Sequence, residues 1–82
     1  MDKSNLILAK TSKNKPVRQY IYQTDDNGHP IGGGFVIAEG KINSIGNIEK
    51  IIPAVKKIHS GFQTEPFTPE NEYYQDVMKK LK

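Results

Sequence analysis

Cysteine and tryptophan are both absent from the 82 residues. Without cysteine there are no disulfides, no thiolate metal sites and no cysteine nucleophile. A secreted domain this small would ordinarily carry disulfide staples, so the chain is expected to be cytoplasmic. Histidine is scarce too: His29 and His59 are the whole supply. Neither is read as having a carboxylate or a second histidine at ligand spacing, so no metal and no cofactor are expected. Long apolar runs are also missing. Leu6–Ala9 and Phe35–Ala38 are far shorter than the ~20 residues of a membrane helix or the core of a signal peptide, which argues against a membrane protein. Acids are thin at the start, where Asp2 alone faces Lys3, Lys10, Lys13, Lys15 and Arg18.

What is present fits one small domain spanning 1–82, with 1–5 and 10–16 expected to be flexible. The net charge is +3 and apolar residues make up 35% of the chain, so the core is thin and the stability margin narrow. The organising stretch is Ile45–Ile58, in which Ile45, Ile48, Ile51, Ile52, Val55 and Ile58 recur at three- and four-residue intervals. That spacing predicts one apolar helical stripe, capped by Ser44 or Asn47 and stopped at Ser60-Gly61. Pro53 inside it removes a hydrogen bond, and one bent helix is favoured over two pieces because the stripe keeps its phase.

Before the helix the pattern is that of a sheet. Leu6–Ala9 predicts a short first strand. Val17–Thr24 alternates with β-formers on both faces, so both faces are expected to be partly covered. Asp25-Asp26-Asn27-Gly28 is a turn signal, and the return strand recovers at Phe35–Ala38. Gly32-Gly33-Gly34 predicts a bulge or a close backbone approach. After the first helix, Phe62–Phe67 reads as a connector. Thr68-Pro69-Glu70 then reads as the start of a second helix over Thr68–Leu81, with stripe Tyr73, Tyr74, Val77, Met78 and Leu81. The fold expected is α+β: a small N-terminal antiparallel sheet of two to three strands packed against two C-terminal helices lying side by side.

Chemistry finds little purchase. No nucleophile elbow surrounds any serine, and Glu72 and Asp76 read as a solvated pair. Gly40-Lys41 fails as a phosphate loop, because Phe35 stands where glycine is needed and Ile42 where serine or threonine is needed. A chain of this length also leaves little room for an enzyme pocket of roughly 300–1,000 Å³. The expectation is a non-enzymatic interaction protein that binds and modulates or inhibits a protein or nucleoprotein partner. Its contact surface is read as the hairpin tip: Asp25, Asp26, Asn27, Gly28, His29, Gly32, Gly33 and Gly34. An exposed strand edge would also permit a homodimer. The alternative is a basic DNA- or RNA-binding domain using Lys10, Lys13, Lys15 and Arg18 for phosphates and Tyr20 and Tyr22 for bases.

Two resemblances accompany these readings. A sheet followed by a helix, over Val17–Ile58, resembles the arm-binding domains of tyrosine recombinases, which would imply DNA contact through the sheet. The order of hairpin, helix, acidic connector and aromatic helix, with IEKIIPAVKK at 48–57 and NEYYQDVM at 71–78, is similar to small phage-encoded inhibitors of RNA-guided nucleases. That resemblance implies a phage or mobile-element accessory protein. Those inhibitors use an acidic, DNA-imitating surface, whereas this chain has a basic arm and, in the matching stretch, Glu65, Glu70, Glu72 and Asp76.

Overall fold

The apolar run in Leu6–Lys10 and the β-formers of Gln19–Thr24 produce two strands, β1 and β2, that pair antiparallel with Leu8 opposite Ile21. The computed structural model describes residues 6–11, 18–59 and 61–81. The chain turns at Asp25–His29 into β3, Pro30–Ala38, and turns again at Glu39-Gly40 into β4, Lys41–Ile45. Both residues of the second turn have positive φ, Glu39 at 54° and Gly40 at 75°, which is the geometry of a two-residue hairpin loop that follows the natural twist of the strands. Helix α1, Ile48–Ile58, crosses from this edge to the opposite one, where β5, Gln63–Pro66, pairs antiparallel with β1. Helix α2, Tyr74–Leu81, closes the described chain.

The sheet therefore has five strands in the order β4-β3-β2-β1-β5, every neighbouring pair antiparallel. This overturns the expectation of two or three strands, although the class is still α+β. The two missed strands hid for different reasons. β4 ends with Ile45, which stands three residues before Ile48 and so fits the helical stripe; it ends a strand instead of starting a helix. β5 has the sequence QTEP, all exposed, and nothing apolar marks it. It is a strand only because β1 offers a free edge.

The helices do not lie side by side either. Ile48, Ile52 and Val55 of α1 pack with Ala9, Tyr20 and Tyr22 on one face of the sheet. Val77 of α2 packs with Leu6, Leu8, Ile21, Phe35, Ile37 and Phe67 on the other. The sheet is thus a middle layer, which explains why Tyr20, Ile21 and Tyr22 are all buried at successive positions of the central strand. Each such aliphatic or aromatic side chain contributes roughly 1.5–3 kcal/mol on burial, and covering both faces lets β2 use successive residues in the core.

Local signals set the helix ends. The Asn47 side chain accepts the N–H of Glu49 at 3.1 Å and caps α1. Pro53 lies inside the helix without splitting it. Ile58, expected in the buried stripe, is 73% exposed where the helix runs past the sheet. The second helix starts later than Thr68. Pro69 sits in a turn closed by the Asn71 N–H on the Thr68 carbonyl (3.0 Å), and the Asn71 side chain accepts the Tyr73 N–H at 2.8 Å. Phe67 links this turn to the sheet. Its N–H donates to the Leu6 carbonyl (3.1 Å) and its ring lies 5.3 Å from that of Tyr74. Lys10 ends β1 and Thr11 is buried, so of the stretches expected to be flexible, 1–5 and 12–16 lie outside the described residues.

Candidate functional site

The β2–β3 end of the sheet is built around one carboxylate. Asp25 Oδ1 accepts the backbone N–H groups of Asn27 and His29, each at 2.9 Å. The Gly28 N–H donates to the Asp25 carbonyl (3.0 Å), and the Asp25 N–H to the His29 carbonyl (2.9 Å). An aspartate that bonds its own backbone two residues on is a standard way to fix a turn. The hydrogen bond from His29, aided by that from Asn27, holds the Asp25 carboxyl below its ordinary value of 3.8. His29 Nδ1 stands 3.7 Å from Asp25 Oδ2, so a carboxylate does lie at helical spacing from this histidine, contrary to the sequence reading. The pair falls short of a ligand set: among the described residues no group of three potential metal ligands occurs.

The glycines fix the root of this hairpin. Pairing of β2 with β3 runs in register up to Tyr22–Gly34 and then jumps to Gln23–Ile31, which places Gly32 and Gly33 in a bulge. Gly32 has φ of +68°, and its N–H donates to Glu49 Oε1 of α1 at 3.1 Å. A Cβ on Gly34 would stand 2.7 Å from the Ile21 carbonyl oxygen. Bulge and close approach thus both occur, at successive glycines. Asp26, Asn27, Gly28, His29, Ile31, Gly32 and Gly33 are exposed, while Asp25 and Gly34 are half-buried. The structure brings all eight tip residues of the sequence reading to one end of the sheet, with Ile31, which that reading did not include, exposed among them.

Of the alternative, nucleic-acid set, Lys10, Arg18 and Tyr20 lie close together across β1 and β2, but not as an open surface. Tyr20 and Tyr22 lie under α1 and offer no ring face to a base, and burial pushes the Tyr22 hydroxyl above its ordinary range. Lys10 is 3.0 Å from Glu65 on β5. Arg18 is exposed, with its backbone tied to Thr11, and Lys13 and Lys15 lie outside the described residues.

No family model, curated protein or solved structure matches the chain. The two family resemblances gain no support from these comparisons.

Sequence reasoning missed a second surface. A groove of about 570 Å³ runs between β4 and α2, lined by Gly40, Lys41, Ile42, Asn43, Asp76, Lys79 and Lys80. Its volume falls within the range that chain length was expected to exclude. The one signal present is Glu39-Gly40 as a hairpin turn, and the strand after it is lost to the sequence reading because Ile45 fits the helical stripe. No helix among the described residues is long and apolar enough to cross a membrane.

Proposed function

We propose that this chain is a small, non-enzymatic, cytoplasmic interaction protein that binds and modulates a macromolecular partner through the β2–β3 hairpin end. The observation that carries the reading is that this end is both exposed and held in one shape. Asp25 closes the turn, the Gly32–Glu49 bond ties its root to α1, and Ile31, opposite Gln23 and at 38% exposure, presents an apolar side chain at the same end. A surface already ordered in the free protein loses little conformational entropy on binding, which leaves more of its contact energy for affinity.

The test is affinity capture at physiological salt with the intact chain and with Ile31→Glu, each with and without nuclease, beside a titration with random-sequence DNA and RNA. The reading expects one partner recovered in stoichiometric amount, lost with Ile31→Glu and indifferent to nuclease. Steeply salt-dependent nucleic-acid binding that disappears on changing Lys13, Lys15 and Arg18 to glutamate would replace it with the polyanion reading.

A further inference from the structure

The sheet has two edges, and they are finished differently. On β5, the Phe67 N–H bonds the Leu6 carbonyl, so in antiparallel alternation the backbone groups of Thr64 and Pro66 face outward. Proline has no N–H to offer there, and the Lys10–Glu65 ion pair lies across β1 and β5. That edge is blunted.

The β4 edge has no such proline. In a two-residue hairpin the flanking residues, Ala38 and Lys41, form a hydrogen-bonded pair. Val36–Asn43 and Gly34–Ile45 follow by alternation. The N–H and C=O groups of Ile42 and Ser44 therefore face away from the sheet. Ile37 and Ile42 are opposite each other and both belong to the core under α2, so Ile42 and Ser44 carry their side chains on the α2 face. Beyond them on that face stand Lys79 and Lys80, both exposed, and among the described residues neither is in an ion pair. Asp76 is the single acid in the groove.

These facts constrain one another. Residues of an added antiparallel strand that hydrogen-bond to Ile42 and Ser44 must place their side chains on the same face as Ile42 and Ser44. That is the face with Lys79 and Lys80. We infer that the β4 edge and the adjoining groove form a docking surface for an extended acidic peptide of a partner protein, added as a sixth strand, with acids at alternate positions directed at Lys79 and Lys80. The inference goes beyond the proposed function and concerns a different surface, so each can fail without the other. A second copy of this chain fits less well, because it would bring its own Lys41, Lys79 and Lys80 to the seam. A nucleic acid would satisfy the lysines but has no peptide ladder for Ile42 and Ser44.

The probe is a ten-residue peptide of alternating glutamate and valine, titrated into the full-length protein and followed by NMR, with a lysine-for-glutamate peptide as control. Two further peptides carry N-methyl groups, one on every glutamate amide and one on every valine amide. The inference expects shifts at Ile42, Ser44, Lys79 and Lys80 and slowed exchange of the Ile42 and Ser44 amides. Methylated valines should leave binding intact and methylated glutamates should abolish it, since only the glutamate amides face β4. Lys79→Glu with Lys80→Glu should weaken binding at least about tenfold without altering the Ile31→Glu result at the hairpin end. No binding at millimolar peptide, equal tolerance of both methylated peptides, or a β4-paired dimer in the free protein would overturn it.

Discussion

Gly34→Ala is the substitution whose cost the structure defines most sharply. Gly34 pairs with Tyr22 of β2, and an added Cβ would meet the Ile21 carbonyl oxygen at 2.7 Å, Tyr22 Cβ at 3.2 Å and Ile48 Cδ1 at 3.5 Å. The first of these is backbone of the central strand and cannot rotate aside, so β3 must move away from β2. Overpacking of this kind costs about 1–3 kcal/mol. Alanine recovers about 0.5–1 kcal/mol of the entropy that glycine loses in a strand, leaving a net destabilisation of about 1–2 kcal/mol. For a domain of this size that lowers Tm by about 5–15 °C. Gly33→Ala is the internal control: its Cβ would stand 3.2 Å from the Ile45 carbonyl oxygen, at the end of the sheet, and should cost less. Thermal and urea unfolding followed by circular dichroism read both. A Gly34→Ala protein as stable as the parent would refute the close packing of β2, β3 and α1 from which the number is derived.

Other outcomes follow from single contacts. Asn47→Ala removes the cap on the Glu49 N–H and should cost about 1 kcal/mol in urea unfolding. Pro53→Ala restores a helical N–H inside α1 and should stabilise the protein by about 2 kcal/mol, the ~3 kcal/mol penalty of an interior proline less the unfolded-state entropy it removes. The Asp25 carboxyl is held below 3.8 by the backbone bond from His29. Its contribution to stability is therefore present above that pH and lost as pH falls through the folded value, and Asp25→Asn should flatten the decline measured between neutral pH and pH ~3. Tyr22 is raised by burial, so the unfolded chain releases this proton first and stability should fall as pH rises past 10.0. Phenolate absorbance of the folded protein should show one tyrosine ionising above the ordinary range.

The sequence was most readable where one local signal had one meaning. Asp25-Asp26-Asn27-Gly28 is a turn in any context, and three glycines in a strand have few uses besides a bulge and a close approach. Both faces of Gln19–Thr24 carry β-formers, and both are buried. Legibility failed where one pattern ran past the element it belongs to. Ile45 stands three residues before Ile48 and fits the helical stripe, yet it ends β4 on the opposite face of the sheet from Ile42, a placement that no period-2 pattern in the sequence marks. It failed again where structure depends on a distant partner: Gln63–Pro66 has no apolar residue and becomes a strand only through β1. The missing edge strand concealed the groove with Lys79 and Lys80 as well. Likewise Thr68-Pro69-Glu70 carries every mark of a helix start, but Asn71 captures the Tyr73 N–H and the helix begins after it.

The most direct test of the account is the backbone order of Asp25–Gly34 in the free protein, measured by NMR relaxation. A hairpin end fixed by Asp25 and by the Gly32–Glu49 bond should give order parameters near ~0.85, as in the sheet itself. Values below ~0.6 through the turn and the glycines would show a mobile loop, and would contradict the claim that this end is shaped in advance for a partner.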